Sequence, residues 1–380
     1  MKKKFVTVVC FFLAFSFLPV SFTQHEHKST IQLGQTKAES LAPVTTGSKN
    51  AAIIQNQELT AQLDRYIEKQ LALDTFHGTV LVAKGNTILL EKGYGYAYEK
   101  TKEPNQPEQK FAIGSLTKSF TAMAILQLHQ KGALNIYEPI DRYFPSYPFA
   151  KQVTIHHLLT HSSGLPMNKG DRKYEELTLM YPPGTKQNYC NEGYILMGRI
   201  IEQASGLSYD EYITTHIFRP LHMNDSGFNL SQRFIQNKAR GHKKMHGSWV
   251  ALGMNYGTRF SSGGLYSTVE DLYKWDRALY TDTLLRRPLR EKMLTPQMKQ
   301  YGYGWHIEER RGHKLTEHGG YALGFSAEII RDTTSQDVVI LLSNHSDKGM
   351  KEMGVTLLDM LRQPPAPKEA PAVPKTKPIT

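Results

Sequence analysis

Ser115 and Lys118 stand three residues apart in the stretch AIGSLTKSF (112–120), inside an otherwise apolar run. If that run opens a helix, side chains at i and i+3 share a face, so a hydroxyl and an ammonium point into one space. A serine hydroxyl is a weak nucleophile until a base removes its proton. A lysine can serve as that base only when burial or nearby positive charge pulls its pKa down. Phe120, Met123, Ala124 and Leu126 supply apolar surroundings, and a helix N-terminus favours negative charge developing on the serine oxygen. The same spacing also suits a capping serine next to a surface lysine whose stem covers apolar surface.

Acyl-transfer chemistry at such a pair needs three further parts: a proton shuttle, a group that recognises an amide, and a donor or cation for a carboxylate. The candidates are Tyr189 and Asn191 in NYCNEGY, just before an expected helix, and His318-Gly319-Gly320 in TEHGGYALGFSA, expected between strands. Ser-x-x-Lys, Tyr-x-Asn and His-x-Gly each occur once in the chain. Each triplet alone is a weak signal, and the set in this order is a strong one. His156, His157 and His161 place imidazoles at i, i+4 spacing, but with no glutamate between them and no third ligand they read as a capped helix running into a loop. No metal and no cofactor is expected.

The elements that must position these residues follow from periodicity. GTVLVAKGNTILLEKGYGYA, from Gly78, reads as two strands around a tight Lys84-Gly85-Asn86 turn. YGYGWHIEE, GFSAEII and DVVILLSN, late in the chain, read as antiparallel strands, with Trp305 and its neighbouring tyrosines mostly packed. Between these ends the pattern is helical: 115–130, a short helix after Thr154, 192–204 ending at Gly206, and two helices opened by Ser208 with Glu211 and by Ser267 with Glu270. The expectation is an α+β fold, an antiparallel sheet flanked by helices and built from N- and C-terminal segments. An all-helical lobe, roughly 115–255, is inserted in it, with the site in the groove between.

The termini read differently. Lys2-Lys3-Lys4 followed by the apolar stretch Phe5 to Phe22 has the pattern of an export signal over residues 1–24, with an uncleaved membrane anchor as the alternative. Its removal takes Cys10 and leaves Cys190, so no internal disulfide is expected. Residues 25–57 read as a polar tether, 58–362 as the folded unit, and 363–380 as an extended Pro/Lys-rich tail. The net charge of +11 points to anionic surroundings such as cell-wall polymer or to carboxylate substrates. Nucleic acid is disfavoured, because the basic residues are scattered and the cluster Arg240-Gly-His-Lys-Lys244 lacks aromatic interleaving.

With these motifs the chain resembles the serine β-lactamase and penicillin-recognising hydrolase family, in the branch of class C β-lactamases, D-alanyl-D-alanine carboxypeptidases, D-aminopeptidases and related esterases. The likeness spans about 59–361 and includes LLTHSSGLP, RPLHMNDSGF and SSGGLYSTVEDLYKW. It implies Ser115 as the acylated nucleophile, Lys118 as its partner in proton transfer, Tyr189 as shuttle to the leaving group and Asn191 as amide holder. It also implies an oxyanion hole from the backbone amides of Ser115 and Tyr321. Dedicated β-lactamases of this branch usually carry lysine where His318 stands, whereas some peptidases and esterases carry histidine, so a permanent anchor for a β-lactam carboxylate is missing. The resemblance therefore implies an exported hydrolase of cell-wall D-amino-acid peptides, acting on a small peptide, β-lactam or ester. A class C-like β-lactamase or short-chain esterase is the alternative, and a non-catalytic wall-binding protein a weaker one.

Overall fold

The structure, a computed structural model, describes residues 46–231, 235–252, 259–345 and 349–363. The export signal and the tail beyond Gln363 lie outside the described residues.

Alternating apolar positions build a six-stranded antiparallel sheet. From edge to edge its strands are His306–Arg310, His313–Ala322, Phe325–Asp332, Asp337–Ser343, Gly78–Lys84 and Thr87–Tyr94. The N-terminal hairpin therefore lies against the last strand of the chain, with Gly78 opposite Ser343 and Leu81 opposite Ile340. Its turn is the expected one, made possible by Gly85 at φ +54°. The period of two splits the sheet's side chains between two apolar layers. Val80, Val82 and Leu341 pack with Leu63 and Ile67 from the Thr46–Ala72 helix and with Leu357, Leu358 and Leu361 from the Met350–Arg362 helix. Leu81, Ile329, Ile340 and Leu342 join the larger core of the inserted segment.

The Thr46–Ala72 helix shortens the tether read over residues 25–57. Strong helix formers (Ala, Gln, Glu, Leu) fill this stretch, and Leu63 and Ile67, four residues apart, dock on the sheet. The inserted segment is largely helical, with helices at Thr117–Gln130, Ile155–Leu159, Asn191–Ser205 and Tyr209–Ile213. Strands the periodicity did not reveal lie in it and at its borders: Phe111–Ala112, Leu265–Ser267 and Gly227–Phe228 form a small sheet, and His242–Met245 pairs with Ser248–Ala251. Strands of two to four residues are too short to show a period.

Ser208 and Glu211 form the reciprocal cap expected of them. The Val269–Ala278 helix starts one residue later than the Ser267/Glu270 reading, with Thr268 accepting from the Asp271 amide at 3.2 Å. The hydroxyl of Ser267 is bonded instead to that of Ser226 at 2.8 Å.

Candidate active site

Ser115 sits in a short 3-10 turn, Gly114–Leu116, that runs into the buried Thr117–Gln130 helix. The i, i+3 spacing brings Lys118 Nζ to 3.0 Å from Ser115 Oγ. Lys118 is fully buried, and its other hydrogen bonds go to neutral oxygens, Oδ1 of Asn191 at 2.9 Å and the carbonyl of Ser262 at 2.7 Å. Among the described residues no carboxylate pairs with it. Burial, helped by the charge of Arg259, pulls its pKa from 10.5 down to about 7. An amine there is partly neutral at physiological pH and can accept the serine proton.

Tyr189 and Asn191 flank Cys190, the N-cap of the Asn191–Ser205 helix. The ring of Tyr189 covers Lys118, with Nζ 4.8 Å from its centroid. Burial raises the phenol to about 12 against the opposing effects of a hydrogen bond to Ser115 and the charge of Arg259, so it stays protonated. His161, whose Nδ1 accepts from the Cys190 amide at 3.0 Å, packs against that ring at 4.4 Å between centroids. Cys190 itself faces inward: its thiol donates to the Pro166 carbonyl at 3.2 Å, and burial pushes its pKa up to about 11. Asn191 Nδ2 donates to Asn168 at 3.0 Å, which fixes its amide with the oxygen toward Lys118.

His318-Gly319-Gly320 lies within the His313–Ala322 strand, not between strands. The glycines are there for clearance. A Cβ on Gly320 would come within 1.8 Å of the Ile113 carbonyl, and one on Gly114, at φ +50°, within 2.6 Å of the Tyr321 nitrogen. The strand is thereby pressed closely against the turn that carries Ser115, with the Gly114 and Tyr321 backbones in contact range. His318 lines the cleft but presents no charge to it. Its Nε2 is 3.1 Å from the Tyr301 hydroxyl, its Nδ1 donates to the Gly319 carbonyl at 2.7 Å, and burial first, then His306 and Lys118, hold it neutral. Tyr301 and Trp305 are core residues, in line with their reading as packing.

The structure thus gathers Ser115, Lys118, Tyr189, Asn191, His318, Gly319, Gly320 and Tyr321 around one cleft of about 450 Å³. The histidines of this stretch, of which His157 and His161 stand at i, i+4, are each engaged in hydrogen bonds to protein groups. Thr154 and His157 cap the Ile155–Leu159 helix, and His156 Nδ1 lies 2.9 Å from the Tyr303 hydroxyl.

Sequence reasoning missed the far wall. Glu317, Glu328 and Lys351 line it, with Lys351 Nζ 2.9 Å from Glu317. Glu328 lies buried under Gly319, and burial together with Glu317 raises its carboxyl well above the usual range against the pull of Lys351. Ordinary-looking charges, two on strands and one on a helix, carried no signal of this. The Ser262 carbonyl that holds Lys118 was equally hidden, being a backbone group 144 residues away.

A beta-lactamase family model matches residues 63–359. A penicillin-binding protein of Bacillus subtilis is 32% identical over 320 residues, spanning 74% of this chain and 70% of the relative. Among solved structures, an octameric penicillin-binding protein homologue from Pyrococcus abyssi is 31% identical with a TM-score of 0.72, over 80% of this chain and 77% of that one. A penicillin-binding protein from Bacillus halodurans is 30% identical with a TM-score of 0.69, over 77% of this chain and 98% of that one.

Proposed function

Because this chain belongs to the beta-lactamase family and is a serine hydrolase of that family, we propose that it works through an acyl-enzyme on Ser115 and cleaves D-amino-acid peptides of the cell wall. The observation that carries this reading is Lys118, buried 3.0 Å from Ser115 Oγ with no carboxylate paired to it among the described residues, and brought to a pKa of about 7.

In the proposed cycle neutral Lys118 takes the Ser115 proton while Oγ bonds to the substrate's carbonyl carbon. The oxyanion is held by the backbone N–H groups of Ser115 and Tyr321. As the scissile C–N bond breaks, the Tyr189 hydroxyl gives its proton to the leaving amine and regains one from Lys118. Asn191 orients the substrate amide. Water then attacks the acyl carbon and the same groups run in reverse, returning Ser115 to its hydroxyl form. Lys118 is the better base of the two because Tyr189, at about 12, has no phenolate to offer near neutrality.

Peptide is favoured over rapid β-lactam turnover because the cleft offers a neutral, internally bonded His318 where a permanent cation would anchor a β-lactam carboxylate. Penicillin binding itself is part of the proposal, supported by the names of the relatives. Export through the N-terminal apolar segment, and retention at an anionic wall by the basic chain, complete it, supported by the net charge of +11.

The test is parallel incubation with a fluorescent penicillin and a D-Ala-D-Ala peptide, followed by intact mass. Peptide cleavage with a slowly released penicilloyl adduct, both abolished in Ser115→Ala, is the expected outcome. Penicillin turnover near ~10⁶ M⁻¹s⁻¹ would identify a β-lactamase. Ester hydrolysis with no labelling would identify an esterase, and an unchanged Ser115→Ala phenotype a binding protein.

A further inference from the structure

At the end of the sheet, His77 leads into the Gly78–Lys84 strand and His345 follows the Asp337–Ser343 strand, and those two strands pair with Gly78 opposite Ser343. Glu99, just after the short strand Tyr96–Tyr98, joins them: one ligand atom from each of His77, Glu99 and His345 lies within 4.8 Å of the others. None of the three lines the cleft around Ser115.

His345 is completely buried. Neither of its ring nitrogens has a hydrogen-bond partner among the described residues, the Glu99 carboxylate at 3.8 Å from Nε2 being too distant for one. Trp249, from the His242–Ala251 hairpin, stacks on the ring at 4.0 Å between centroids. Protein interiors rarely leave an imidazole unsatisfied at both nitrogens unless an ion or water completes it.

His77 has the second carboxylate that metal-bound histidines typically use. Its Nε2 is 2.8 Å from Asp74 Oδ1, and Asp74 is in turn held by Trp249 Nε1 at 2.8 Å and by Lys244. A proton on Nε2 leaves the lone pair on Nδ1. His242 stands close by, with its ring 5.0 Å from that of His345. It is engaged elsewhere, accepting from the Glu99 amide at 3.3 Å while its Nδ1 faces Asn344 Nδ2 at 3.3 Å.

We propose that His77, Glu99 and His345 bind a divalent transition-metal ion of the zinc type, which fastens the segment after the Tyr96–Tyr98 strand to the end of the sheet. Two imidazoles and one carboxylate select zinc or a late transition metal over calcium or magnesium. A surface depression bordered by Tyr98, Glu99, Lys102, Ser248 and Trp249 gives the ion a way in and a water for its fourth position. Metal–nitrogen bonds of about 2.0–2.1 Å require the donors to close in by roughly 1 Å on loading, a movement the Glu99 side chain can supply.

The experiment uses the full chain without an affinity tag, stripped of metal and then titrated with ZnCl₂. The readouts are bound zinc by elemental analysis and the melting temperature. About one zinc per chain and a rise in melting temperature are expected, with binding weakened at least about tenfold in His345→Ala and in Glu99→Gln and unchanged in His222→Ala. Glu99→Gln, at a partly exposed position, keeps the test valid if His345→Ala fails to fold. No bound zinc at micromolar concentration, or zinc retained in both variants, overturns the proposal.

Discussion

Among the described residues two lysine or arginine side chains are buried completely, Lys118 and Arg331. Arg331, on the Phe325–Asp332 strand, donates to the carboxylate of Asp276 and to Thr316 Oγ1 at 3.1 Å, and its guanidinium lies over the rings of Tyr280 and Trp305. Burial opposes its charge, but Tyr280 and Asp276 outweigh that and raise its pKa. Lys118 is given only neutral acceptors, and burial moves it the other way. The presence or absence of a carboxylate partner decides between the two outcomes. With one, a buried cation stays charged and holds the two layers together. Without one, it titrates near neutrality and can move a proton.

The most severe way to break this comparison is Lys118→Met. Acylation should fall by about 10³–10⁴-fold while the melting temperature stays level or rises, because the side chain removed is a base whose desolvation was never compensated. Rapid-quench labelling with penicillin measures the first and calorimetry the second. Asp276→Asn should do the converse, costing about 3–5 kcal/mol in a denaturant titration by stranding Arg331, with the acylation rate of the folded protein unchanged.

Gly320→Ala sharpens the geometry around Lys118 rather than its charge. A methyl 1.8 Å from the Ile113 carbonyl must push the strand off the nucleophile's turn, so acylation should drop by about 10²-fold with little change in substrate binding. The smallest effect is expected from Arg259→Ala. Arg259 is exposed, so solvent screens it, and its loss should move the pH midpoint of acylation upward by less than about one unit.

What could be read from the sequence followed spacing. The Ser115–Lys118 approach rests on helical geometry over three residues, and the Gly85 turn on local chemistry, so both were legible. The α+β layout followed because strand patterns sat at both ends of the chain. What spacing could not give was anything made by chain segments meeting. The Ser262 carbonyl on Lys118, the Glu317, Glu328 and Lys351 wall, and the pairing of Arg331 with Asp276 are all contacts between remote elements. His318-Gly-Gly looked like a break between strands because two glycines usually interrupt one. Here they continue it, since the strand must approach Ile113 more closely than any side chain allows. The helix beginning at Thr46 was obscured by polar residues on its outer face.

Lys118 also links stability to pH in a direction opposite to the usual buried pair. Its folded pKa of about 7 lies below its ordinary 10.5, so between those values the unfolded chain binds more protons. Its contribution to stability therefore rises with pH across that window, and its penalty is complete below it.

The central claim is that Lys118, uncharged near neutral pH, is the base that activates Ser115. The rate of Ser115 acylation, followed by pre-steady-state penicillin labelling from pH 5 to 10, tests it most directly. The expected rate rises with pH through a midpoint of about 7, the pKa to which burial brings Lys118. A rate flat across that range, or a midpoint near the ordinary lysine value of 10.5, would contradict it.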